Sequence, residues 1–124
     1  NFQGIAARGK VSSSEPMFGG ISILGSVNKK VYFMGKGVSM GVSPYIDDPI
    51  LEIWATSGKI AENDDWGTVS GIATSLSTVS GLTLPSGTKE AGMVLELAPG
   101  NYTFVLKSKT AVLSGAMIEA YEAD

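Results

Sequence analysis

Two acidic stretches carry the sharpest chemical signal in this chain. Asp47-Asp48-Pro49 and Glu62-Asn63-Asp64-Asp65-Trp66 each crowd carboxylates into a few residues. Calcium takes about six to eight oxygen ligands from carboxylates, side-chain amides and backbone carbonyls. Asn63, Asp64 and Asp65 on one loop, with Asp47 or Asp48 on a second, would supply such a shell, so calcium is the cofactor these residues suggest. The same residue types also form Asx turns, in which the side chains bond their own backbone, and the spacing does not follow the EF-hand loop. Aromatic residues sit beside both stretches. A flat exposed ring can stack on a sugar ring, which makes Trp66 and Tyr45 the candidate ligand-binding residues. For Trp66 the alternative is a loop lid over one end of the domain, and Trp54, inside an apolar run, reads as core or interface.

The residue types that are missing bound the chemistry further. The 124 residues include no His and no Cys. This removes the usual general base near neutral pH, the commonest metal ligand, thiolate nucleophiles and disulfides. Paired carboxylates alone could serve a glycosidase if held about 5–10 Å apart across a cleft, but no second catalytic element accompanies them, and the chain reads as a non-enzyme. Nine Lys and Arg against twelve Asp and Glu give a net charge of -3. No basic cluster exceeds Lys29-Lys30, so the electrostatic footprint of a nucleic-acid binder is missing. No apolar run approaches the roughly 20 residues of a membrane helix, so no membrane insertion is expected. Asn1 in place of Met points to a processed chain or a fragment.

The elements that must position these residues read as strands. Runs with β-branched or aromatic residues recur between Gly, Ser, Asn and Pro punctuation, the pattern of an all-β domain. The candidates are Phe2–Val11, Phe18–Leu24, Lys30–Gly35, Ile50–Ala55, Lys59–Glu62, Gly92–Leu97, Asn101–Ser108 and Gly115–Glu122. In Asn101–Lys107 the alternation puts Tyr102, Phe104 and Leu106 on one face and Thr103, Val105 and Lys107 on the other. Thr56-Ser57-Gly58 and Pro99-Gly100 read as hairpin turns. Val69, Ile72, Leu76 and Val79 follow helical spacing. The expectation is one all-β domain over residues 1–124, an antiparallel, jelly-roll-like β-sandwich of about eight strands with a short helical or loop segment near 69–80. The hairpin over Ile50–Ala55 and Lys59–Glu62 would return the two acidic stretches to one edge of it.

The order of motifs resembles a recurrent β-sandwich domain of large secreted and cell-surface bacterial proteins, similar to the pre-peptidase C-terminal type. The matching fragments are Arg8-Gly9-Lys10-Val11, Asp48-Pro49-Ile50-Leu51, Asn63-Asp64-Asp65-Trp66-Gly67, Leu97-Ala98-Pro99-Gly100-Asn101-Tyr102-Thr103 and Ile118-Glu119-Ala120-Tyr121. The resemblance implies a non-catalytic, extracellular or cell-surface sandwich, with calcium held near Asn63, Asp64 and Asp65. Two roles fit such a domain. One is a structural subunit that assembles with copies of itself into a homo-oligomer, filament or lattice. There the N-terminal strand, with Phe2, Ile5 and Val11 as interface residues, would complete a neighbour's sheet. The other is an accessory module that binds a polysaccharide or another surface.

Overall fold

The computed structural model describes residues 4–37, 46, 48–64, 90–111 and 113–122. They hold eight strands: β1 (Gly4–Val11), β2 (Met17–Ile23), β3 (Lys29–Lys36), β4 (Pro49–Ala55), β5 (Gly58–Asn63), β6 (Ala91–Leu97), β7 (Gly100–Ser108) and β8 (Ser114–Glu122). Each overlaps one of the strands expected from the alternation. The segment near 69–80 lies outside the described residues.

The antiparallel pairings nest. β1 pairs with β8, β2 with β7, β3 with β6 and β4 with β5. Two further pairings, β3 with β8 and β4 with β7, join these into sheets ordered β1-β8-β3-β6 and β2-β7-β4-β5. This is the order of a jelly roll, one long hairpin rolled over itself. At its tip Gly58 has φ 136°, a conformation that a residue with a Cβ adopts only under strain. Beyond the tip the register passes from Ile53–Ala61 to Trp54–Lys59. Ile60 is therefore the extra residue of a β-bulge, and it is exposed.

Alternation feeds the core from both sheets. Val31, Phe33, Ile118 and Ala120 face inward from one, and Leu51, Ile53, Phe104 and Leu106 from the other, all buried. Phe33 and Phe104 meet between the sheets with ring centroids 5.7 Å apart and planes tilted by 57°, a geometry favoured by the ring quadrupoles. Gly19 lies directly opposite Phe104 on β2. A Cβ there would stand 2.6 Å from the tip of the ring, so the ring packs on bare backbone. The Gly19-Gly20 pair thus marks a close approach, and the register of β2 on β7 runs through it without a shift.

β1 pairs along its whole length with β8 of its own chain. Val11, expected at an interface between copies, is instead fully buried in its own core, whereas Ile5 is 39% exposed. Phe2 lies outside the described residues.

Gly19→Ala is expected to destabilise the fold by about 1–3 kcal/mol through overpacking. Gly20→Ala, where a Cβ first meets the Tyr102 carbonyl oxygen at 3.7 Å, is expected to change stability by less than about 0.5 kcal/mol. Urea denaturation of the two variants measures the contrast.

Candidate functional site

The residues of β7 that do not face the core build the floor of a groove. Register arranges the outer face of the β2-β7-β4-β5 sheet as a grid. Phe18, Val105, Glu52 and Glu62 form one row across the four strands, and Gly20, Thr103, Trp54 and Lys59 form the next. An open groove of about 580 Å³ runs over this grid, lined by Phe18, Trp54, Val105, Thr103, Glu52 and Lys107 and flanked by Ser13, Ser14 and Pro16. Its size falls in the range of small-ligand sites. Phe18 is 64% exposed and Trp54 38%. They stand on the strands either side of β7, which lie about 10 Å apart at two strand spacings, and are offset by one row of the grid.

Glu52 fixes the groove's chemistry. Its carboxylate is buried among outward-facing neighbours. Oε2 pairs with Lys107 Nζ at 2.9 Å, and Oε1 accepts a 2.9 Å hydrogen bond from the Trp54 indole Nε1. Burial pushes the carboxyl pKa up, but the hydrogen bonds from Lys107 and Trp54, with the charges of Lys107 and Lys59, outweigh it. The group is held below the ordinary glutamate value of 4.5. The result is an indole whose orientation is set by a carboxylate that is itself neutralised.

The acidic stretches converge as their spacing suggested, around a cation the protein supplies itself. Lys109 Nζ lies 3.2 Å from Asp48 Oδ2 and 2.6 Å from Asp64 Oδ2. The hydrogen bond from Lys109 lowers the Asp64 pKa, with burial opposing it. The two carboxylates, Asp64 first, raise that of Lys109. Asn63 turns elsewhere: its buried Oδ1 accepts a 3.0 Å hydrogen bond from the Gly92 backbone N–H and ties β5 to β6. Among the described residues no three acidic side chains gather as a metal cluster. Among the described residues Lys109 occupies the position between the Asp48 and Asp64 carboxylates. Asp47, Asp65, Tyr45 and Trp66 lie outside the described residues.

A second charged group sits on the outer face of the other sheet. Glu119 is buried, with Lys36 Nζ 2.5 Å from Oε1 as an ion pair outside hydrogen-bonding angles. The Tyr121 hydroxyl donates to Oε2 at 2.5 Å. Burial, and then the hydrogen bond and charge of Glu119, push the Tyr121 phenol up to about 12. Met34, directly opposite Glu119 on β3, is fully buried, so this cluster is closed where the groove is open.

Trp54 and Phe18 are the groove residues that reading from the sequence missed. A signal for Trp54 was available: Glu52 and Trp54 alternate with the core residues Leu51 and Ile53, which places both on the outer face.

No protein-family model and no curated protein matches the chain. Similar solved structures include a mitogen from Yersinia pseudotuberculosis, at 9% identity over 98% of this chain and 86% of that one, with a TM-score of 0.60. The pre-peptidase C-terminal domain of a collagenase from Bacillus anthracis is 6% identical over 95% of this chain and 89% of that one, TM-score 0.59. PliG of Aeromonas hydrophila, a periplasmic inhibitor of g-type lysozyme, is 9% identical over 98% and 87%, TM-score 0.56. At these identities the likeness is one of fold.

Because the Glu52 carboxyl is held low in the folded state, its contribution to stability is present above the ordinary glutamate pKa and lost as the pH falls through the lower folded value. Glu52→Gln is expected to cost about 1–2 kcal/mol at neutral pH. This is the low end for hydrogen bonds to a charge, because the Lys107 side chain stays 33% exposed. The difference from wild type should narrow as the pH falls below the ordinary glutamate value of 4.5 and close below the lower folded value, as read from urea midpoints over a pH series.

Proposed function

We propose that this chain is a non-catalytic β-sandwich module that holds a carbohydrate on the outer face of its β2-β7-β4-β5 sheet. The observation that carries this reading is the groove in which the exposed rings of Phe18 and Trp54 flank a floor of Val105 and Thr103, with Trp54 fixed by Glu52. Exposed aromatic side chains are otherwise costly to leave in water, and a contiguous patch of them marks a binding site. A sugar offers C–H faces to the rings and hydroxyls to Ser13, Ser14 and Thr103. Tyr45 and Trp66 belong to the proposal as further contacts. An extracellular or cell-surface location suits the reading, and similar folds occur in a periplasmic inhibitor and in a domain of a collagenase. Retardation of the native protein in polysaccharide-containing gels is the expected result. Trp54→Ala should weaken binding about tenfold or more, the scale of a buried aromatic anchor. If no polysaccharide retards the wild type, the reading fails.

Self-association is the second reading, and the observation favouring it is the edge strand β1, exposed from Ile5 to Lys10. Because β1 is already paired with β8, a copy would add to its free edge and not replace it. Arg8 and Lys10 work against such pairing, since charges on an edge strand deter strand addition. Light scattering at rising protein concentration tests this reading: growth in mass that Ile5→Lys abolishes supports it, and a constant monomer mass ends it.

Calcium at the acidic loops is proposed as a competitor of Lys109 for Asp48 and Asp64. Lys109→Gln should then increase the rise in melting temperature that millimolar calcium produces over chelator. An unchanged melting temperature in both proteins removes calcium from the function.

A further inference from the structure

We propose that the ligand of the groove is an uncharged, linear glycan lying across the strands from Phe18 to Trp54, and that Gly20 keeps its path open; this rests on the carbohydrate reading above. Charge favours a neutral ligand. On the described outer face, Glu52 is paired with Lys107 at 2.9 Å and Lys59 with Glu62 at 2.7 Å. An acidic or basic ligand would have to compete with the partner already present for its counter-ion, which weakens its attraction. An uncharged chain with hydroxyls leaves both intact.

Register sets the direction. Phe18 and Trp54 stand on different strands, with β7 between them, and are offset by one row of the grid. A ligand that touches both rings crosses β7 and passes over Val105 and Thr103. A ligand lying along a single strand meets only one ring. A chain of linked sugars can cover both, so affinity should depend on length.

Gly20 is a glycine that packing does not require. Gly19 is demanded by the Phe104 ring, but at Gly20 a Cβ would meet nothing closer than 3.7 Å, and its φ is not positive. Glycine inside a strand weakens it, so packing supplies no reason for the residue. What Gly20 does is leave the outer face empty beside Thr103, in the row that holds Trp54. A long side chain there would project from the outer face into the end of the row that leads to the sheet edge. β2 is also an edge strand without a charged residue, so no solvated head group narrows the approach.

Calorimetric titration of the whole chain with graded-length neutral gluco- and manno-oligosaccharides, and with the matching polyuronate fragments, tests the inference. The expected result is binding of a neutral series that strengthens with length and then levels off. It should fall about tenfold or more in both Trp54→Ala and Gly20→Leu. The melting temperature of Gly20→Leu should equal or exceed that of wild type, since the strand gains a side chain, and Gly20→Ser should bind with an intermediate loss. Binding of the polyuronates in preference to the neutral series overturns the inference while leaving the carbohydrate reading in place. So does a folded Gly20→Leu that binds like wild type. If neither series binds and an extended peptide adds to β2 instead, both fall.

Discussion

The packing of Phe104 is the contact on which the remaining architecture turns. Its ring is held between Phe33 of the opposite sheet and the bare backbone of Gly19. With that side chain pointing inward, the pleat of β7 has no freedom left. Leu106 must follow into the core, and Thr103, Val105 and Lys107 must emerge on the outside. A slip of one residue would send Phe104 into water and Lys107 into the core, so the register carries a heavy energetic bias. The core and the groove are therefore two faces of one constraint. The aromatic contact that joins the sheets also decides which side chains line the groove.

Ionic contacts do much of the tethering in this cysteine-free chain. Lys109 connects the entrance of β4 to the exit of β5, Lys107 joins β7 to β4, and Lys36 joins β3 to β8. They are not equivalent. The Lys109 side chain is 42% exposed, so water and salt screen its contacts and their worth is small. Glu119 and Glu52 are buried, and there the desolvation of the carboxylate is met by additional donors, Tyr121 in one case and Trp54 in the other. A buried carboxylate paired with a lysine contributes more to geometry than to net stability, because the attraction it gains is largely offset by the water it gave up. In the groove that geometry is the fixed plane of the Trp54 indole.

The strands were legible in the sequence because turn-forming residues separate them and several alternate cleanly. Tyr102, Phe104 and Leu106 against Thr103, Val105 and Lys107 is the clearest case, and the structure divides them along the same line. The convergence of Asp48 with Asp64 was legible too, since a hairpin must return its ends to one place. What alternation within a single strand cannot supply is the identity of the neighbour. Nothing near Glu52 in the chain announces Lys107, and nothing near Asp64 announces Lys109, because each partner comes from β7 or the residue just after it. Trp54 was read by its apolar surroundings, Ile50, Leu51 and Ile53, when its own position in the alternation, two residues from Glu52, pointed outward. The pairing order of the strands is the missing term, and it is a property of the whole chain.

The nested pairing has a consequence in time. Among the described strands β1 is the first along the chain, yet its only hydrogen-bonded partner is β8, the last of them. Among the described pairings only that of β4 with β5 can close locally, and each of the others has to bridge a longer stretch of chain, which costs loop-closure entropy before contact is rewarded. All-β domains with such non-local contacts fold in roughly milliseconds to seconds. A ribosome extends a chain at about 5–20 residues per second. β1 is therefore left unpaired for seconds while the remainder is synthesised, with Ile5 and Val11 in water. Arg8 and Lys10 put two positive charges in that unpaired strand, and like charges on a strand disfavour its pairing with another copy.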